Sequence, residues 1–308
     1  MDFSEYTLIS LGDSFTFGQD TIPDPKKLPG EESSTFGRRW KNGCNKLSYT
    51  ARITERMEFK YNVNFGIMGS NNDNSLTILE SFLRNNLGMK IFVLFNFTSA
   101  GRMTNLFQVS GQKIYHKENL VPHHAVRVKK FKSYGISSKD IANYYTLWNN
   151  SMQEVYNHIG YRRRLEHILS FYKTPYISFD IANNTDYRIN RDNPLRYVGP
   201  QHQFNIDGYA FNDIYADDRF NFPEFDYMKS YIDNVINRVP PLPNHITMSD
   251  MDGSRNLIEW LALKGISDAN DKDNYYAKNG KGTGSHWTED GHIIVTDIMQ
   301  KKINERYN

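Results

Sequence analysis

Gly12-Asp13-Ser14-Phe15-Thr16-Phe17-Gly18 decides the reading of this chain, because of what precedes it. The run Tyr6-Thr-Leu-Ile-Ser-Leu11 is apolar and partly β-branched, so it predicts a buried strand ending at Gly12. A turn at that point places Ser14 beyond the carboxyl end of a strand, where open α/β sheets bind their ligands. There the serine would be exposed and poised to attack, and its own backbone N–H could help hold an oxyanion. A strand-to-helix turn with a serine cap has the same appearance. The motif alone therefore does not establish chemistry.

Working outward, further strands are predicted at 61–64, 90–96 and 175–180. Lys90-Ile-Phe-Val-Leu-Phe-Asn96 is almost continuously apolar, as a central parallel strand should be. Helical stretches cover 46–58, 73–86, roughly 138–172, and 288 to about 304. Strands alternating with helices predict an α/β fold, a parallel sheet covered on both faces. The chain reads as one domain, 1–308, with insertions at about 101–137 and 183–260 that break the rhythm. Both are polar, aromatic and rich in Asn, Asp and Pro, and long loops of this kind usually carry function or are disordered. The aromatics of 195–232 favour ordered cover.

Composition narrows the classes. The apolar share is 39% and the charged share 23%, which is globular and not disordered. With 37 basic against 35 acidic residues, the charge is too balanced for a nucleic-acid footprint over the whole protein. Cys44 is the single cysteine, so no internal disulfide can form. Met1-Asp2-Phe3-Ser4-Glu5 opens no secretion signal, and no apolar run approaches a membrane span. A cytoplasmic or virion-associated protein is expected. The 20 Tyr and 19 Phe suit a sugar-binding cleft or an interface, or reflect nothing more than a Tyr-rich genome.

The second chemical signal is His286-Trp287-Thr288-Glu289-Asp290-Gly291-His292, just ahead of the last predicted helix. A hydroxyl needs a base to become a nucleophile, and histidine titrates near neutrality. A His in that loop can reach the same sheet edge as Ser14.

Taken together, the two signals resemble the GDSL/SGNH hydrolases. Gly12-Asp13-Ser14 matches the first block of that family. His286 with Gly291 and His292, five and six residues later, matches the last. Asn64-Phe-Gly66-Ile-Met-Gly69-Ser-Asn71 looks like the second block. The resemblance implies a flavodoxin-like three-layer α/β/α SGNH-hydrolase sheet and a serine esterase. Ser14 would be its nucleophile and His286 its base, with Ser14 and Gly69 donating to the oxyanion through backbone N–H groups.

Two family positions depart. The third block should carry Gly-x-Asn-Asp, whose Asn donates to the oxyanion. Here the strand ends Asn96-Phe-Thr98-Ser-Ala-Gly-Arg102, so Thr98 takes that place by register, or Asn96 if the turn differs. The family also places an acid three residues before the His, where this chain has Thr283. A backbone carbonyl could orient the imidazole instead, or Asp271 or Asp273 could fold back to supply the acid. No metal and no cofactor are expected, since His123-His124 lack further ligands at metal spacing. Arg127-Val-Lys-Lys-Phe-Lys132 and Arg162-Arg-Arg164 read as solvated basic faces before they read as polyanion sites.

The leading expectation is an esterase that removes a small acyl group, on a carbohydrate or similar polar acceptor. A non-catalytic binding or structural protein on the same fold, such as a virion component, is the alternative. The Asn-, Lys- and Tyr-rich composition resembles that of many phage-encoded proteins. Acyl transfer by the same site is a third reading, and the oligomeric state is open.

Overall fold

The computed structural model describes residues 1–19, 21, 28–98, 102–108, 115–120, 135–137, 140, 151–181, 203–206, 209–212, 242–254, 256–266 and 287–308. Four parallel strands form its centre: β1 (Thr7–Gly12), β2 (Tyr61–Gly66), β3 (Ile91–Phe97) and the strand Tyr176–Asp180. Chain order along the sheet is second, first, third, fourth. That is the flavodoxin-like order, which reverses direction beside the first strand and opens a ligand crevice at that point. Gly12, and Ser14 after it, sit at this reversal.

The helices cover both faces, as the alternation predicts. Among the described residues they are α1 (Ser14–Phe17), α2 (Ser33–Leu47), α3 (Tyr49–Arg56), α4 (Asn72–Asn85), α5 (Ser151–Tyr172), α6 (Leu257–Leu263) and α7 (Glu289–Tyr307). Alternate side chains of a strand point to opposite faces. Leu8, Phe92, Leu94, Ile177 and Phe179 therefore meet Ile53 of α3 and Val295, Ile298 and Met299 of α7. Ile9, Leu11, Val93, Phe95 and Phe97 meet Leu76, Leu79 and Leu83 of α4 and Leu165 and Leu169 of α5. The result is three layers with an apolar core on each side of the sheet. No described helix is long and apolar enough to cross a membrane.

The predicted helix over 46–58 is two helices, α2 and α3, separated by Ser48. Ser48 has extended backbone and its side chain caps the Ala51 N–H, which ends one helix and starts the next. The first insertion contains an antiparallel hairpin, β4 (Met103–Gln108) and β5 (Tyr115–Leu120). The fourth sheet strand is thus β6, and a second hairpin pairs β7 (Gln203–Ile206) with β8 (Tyr209–Asn212).

The stretch 242–260, grouped with the second insertion on sequence, packs into the core through Leu242, Ile246, Met251, Leu257 and Trp260. Ahead of α6 its apolar residues are too widely spaced to show a helix or strand period. At the edge of β6, Ser178 N–H donates to Asn244 O and Ile246 N–H donates to Ser178 O. This single parallel bridge stands where a fifth strand would lie.

A buried polar cluster holds that strap. Arg162 from α5 is not the solvated cation expected of Arg162-Arg-Arg164; it is buried and ion-paired with Asp180. Arg164 pairs instead with Asp73 and Glu80 of α4. His245 Nε2 lies 3.1 Å from Asp180 Oδ2, and His245 Nδ1 lies 2.8 Å from Ser178 Oγ. His158 Nε2 is 3.2 Å from Asp180 Oδ1. This is a serine–histidine–aspartate chain, yet all its members are buried, so it anchors the strap and meets no substrate. Burial would raise Asp180, but His158 and Arg162 beside it and its hydrogen bonds prevail and hold it well below the usual carboxylate range. Burial, with Arg162 acting in the same direction, pushes His245 down to about 4 and holds His158 below its usual value.

The sign of the pH effect follows. Between the ordinary histidine value of 6.5 and about 4, the unfolded chain binds a proton at His245 that the folded chain refuses. Stability is thus fully present above that window and falls as pH drops through it. Urea unfolding should show a loss of about 2 kcal/mol between pH 7 and pH 5 from His245. The slope should shrink in a His245→Gln variant; equal wild-type stability at both pH values would refute this assignment.

Candidate active site

Ser14 is the first residue of α1, and Asp13 is its N-cap. The Asp13 side chain accepts from Phe15 N–H at 3.1 Å, an ordinary capping bond that fixes the turn. Gly12 has φ +153°, and a Cβ there would lie 2.8 Å from Asn96 Cβ. Gly66 admits the Thr16–Phe17 backbone into contact with the end of β2. Asn64 joins the same corner: its Nδ2 donates to Thr16 O at 2.7 Å and its Oδ1 accepts from Gly66 N–H at 2.8 Å. The turn thus sinks into the sheet edge. Ser14 keeps only 4% exposure, where the sequence suggested an exposed serine.

Gly69 comes to the same edge. Ile67 N–H donates to Gly12 O, and Ser70 N–H donates back to Ile67 O, closing a turn around Gly69 at φ +70°. That left-handed conformation is one glycine adopts without strain. Ile67 and Met68 beside it are exposed apolar side chains. Asn71 then caps α4 through Asn74 N–H.

Thr98 and Asn96, the side chains expected to donate to the oxyanion, stand close by, and both hydrogen-bond within the protein. Thr98 Oγ1 donates its one proton to Asp13 Oδ2 at 2.6 Å. Asn96 is buried within β3 and its Nδ2 donates to Thr16 Oγ1 at 2.9 Å, which in turn meets Tyr49 Oη at 2.9 Å. Asn72 fixes Thr98 from the other side: Thr98 N–H donates to Asn72 Oδ1 and Asn72 Nδ2 donates to Thr98 O, both at 2.9 Å. No periodicity singles out Asn72, because its partner lies 26 residues away.

His286, Asp271 and Asp273 lie outside the described residues, as do Thr283 and the His123-His124 pair. Trp287, next in the chain, is described and buried at 1% exposure. Its ring lies 4.7 Å from that of Phe15, the residue after Ser14. Trp287 also meets His292 edge-on at 5.6 Å, and His292 stacks on Tyr49 at 5.8 Å. His292 Nδ1 accepts the Tyr49 N–H at 3.1 Å, satisfying a donor at the start of α3. Gly291 is small by necessity, since a Cβ would fall 2.7 Å from Trp287 Cβ. The Gly-His pair after the expected base thus anchors α7 to α3 and, through Trp287, to the Ser14 turn. Among the described residues no cluster of side chains is set to hold a metal ion.

No family model matches the chain. No curated protein matches it either. Solved structures do. A member of the lipolytic protein G-D-S-L family from Veillonella parvula DSM 2008 is 10% identical at TM-score 0.34, covering 98% of both chains. A mutant of an acetyl-xylooligosaccharide esterase from Geobacillus Stearmophilus is 11% identical at TM-score 0.38, covering 100% of this chain and 98% of that one.

Packing between Phe15 and Trp287 should be measurable by itself. A double-mutant cycle, Phe15→Leu with Trp287→Leu, read by urea unfolding, should return a coupling of about 1 kcal/mol. A coupling near zero would mean that the two rings do not hold the turn and the final helix together.

Proposed function

We propose that this protein is a serine esterase acting on a small acyl ester, with Ser14 as nucleophile and His286 as base. One observation carries the proposal: the Phe15 and Trp287 rings pack at 4.7 Å, so the residue after the nucleophile touches the residue after the base. Two residues 272 positions apart in the sequence (287 − 15) serve that contact, and each adjoins a group the chemistry needs.

Ser14 Oγ attacks the ester carbonyl while His286 takes the hydroxyl proton. The backbone N–H groups of Ser14 and Gly69 hold the tetrahedral oxyanion. The intermediate collapses, the alcohol leaves with the proton from His286, and an acyl-enzyme remains. Water, activated by the same imidazole, then releases the acid. Asp271, Asp273 or a backbone carbonyl orients the imidazole, since Thr283 holds the position of the family acid. The aromatic insertions support a carbohydrate as the alcohol side; water as the acceptor distinguishes this esterase from an acyltransferase.

The Thr98 hydroxyl gives its one proton to Asp13, which favours a second reading, a binding or structural protein on the same fold. One experiment separates the two. The wild type, Ser14→Ala and His286→Ala are each incubated with a fluorophosphonate probe and with p-nitrophenyl acetate. An esterase is labelled and turns over ester, and both signals vanish in the two variants. A folded wild type that takes no label, or label that persists in Ser14→Ala, refutes the esterase and leaves the binding protein.

A further inference from the structure

Arg102 lies just ahead of β4, at the start of the first insertion, and has no part in the chemistry above. Its Nη1 donates to Asp13 Oδ2 at 2.7 Å. The Asp13 side chain is 1% exposed and that of Arg102 18%. A carboxylate so far from water needs a counter-charge as well as hydrogen bonds. The two other donors to Asp13, Phe15 N–H and Thr98 Oγ1, are neutral. Arg102 is the cation paired with Asp13 among the described residues. Asp13 in turn caps the turn on which Ser14 sits.

Resting on the esterase reading, we propose that Arg102 is a positioning residue for the nucleophile: its ion pair with Asp13 holds the capped turn and so aims Ser14 at the ester carbonyl. The first insertion is thereby tied to the reacting serine through one charge pair. A neutral side chain at 102 leaves Asp13 buried with two neutral donors, and the turn relaxes to rehydrate it. Misplacement of a nucleophile by about an ångström costs on the order of 10²-fold in rate.

The test compares fluorophosphonate labelling rates, and kcat and KM for p-nitrophenyl acetate, in wild type, Arg102→Lys and Arg102→Ala. Arg102→Ala should label and turn over about 10²-fold more slowly, with KM little changed, because the substrate's own contacts remain. Arg102→Lys should recover part of the rate, since an ammonium restores the charge but not the planar fork. Millimolar guanidinium chloride should restore part of the Arg102→Ala rate where equal sodium chloride does not. A merely structural role would not respond in that way.

A folded Arg102→Ala that labels at the wild-type rate overturns the proposal, and so does a slow one that neither lysine nor guanidinium rescues. Should Arg102→Ala not fold, the pair is replaced together as Asp13→Asn with Arg102→Met, which leaves no buried charge unpaired. That variant should fold and remain slow; a wild-type rate overturns the proposal. A wild type unlabelled at Ser14 refutes the esterase itself and this inference with it, whereas normal wild-type labelling with an unaffected Arg102→Ala refutes only the inference.

Discussion

The candidate site depends on how one buried carboxylate is satisfied. Asp13 lies at the end of β1, in the plane where the sheet order reverses, with almost no access to water. Its two oxygens take donors from three separate segments: the Ser14 turn, the end of β3 and the start of the first insertion. Each donor is a constraint on where its segment can go. Leaving any of them unmade would strand a buried charge, and that penalty is larger than the gain from any single surface contact. The edge of the sheet is thus drawn together around Asp13, and Ser14, the next residue, inherits its position.

A second constraint joins the two ends of the chain. Phe15 and Trp287 pack ring to ring, and His292 accepts the first N–H of α3 while stacking on Tyr49. The final helix therefore docks against the Ser14 turn by aromatic contact and against α3 by hydrogen bonding. The Gly291-His292 pair, which on sequence is only a pattern, acquires a physical cause. Gly291 lets the helix approach Trp287, and His292 closes the backbone of α3.

The Asp180 cluster shows why geometry and burial must be weighed together. Ser178, His245 and Asp180 form a hydrogen-bonded chain of the residue types used in nucleophilic catalysis. Arg162 balances the charge, and no member reaches solvent. The chain fastens the 242–251 strap along the free edge of β6, which would otherwise expose unpaired backbone groups. These three residue types serve as structure here, on one side of the sheet, while Ser14 sits at its carboxyl edge.

Much of the framework was legible in the sequence because it rests on local patterns. The run Tyr6–Leu11, the apolar stretch 90–96 and the alternation with helices were enough for a parallel α/β sheet, and Gly-Asp-Ser after the first strand marked the edge at which its order reverses. The split at Ser48 and the core packing of 242–251 escaped, since a lone capping residue and widely spaced apolar residues carry no period. The engagement of Thr98 and Asn96, the Asn72 clamp and the Arg102–Asp13 pair were decided only by tertiary structure. Each is a contact between residues 26 to 89 positions apart. Local propensity fixes neighbours along the chain; a buried charge selects its partners only once the fold has excluded water around it.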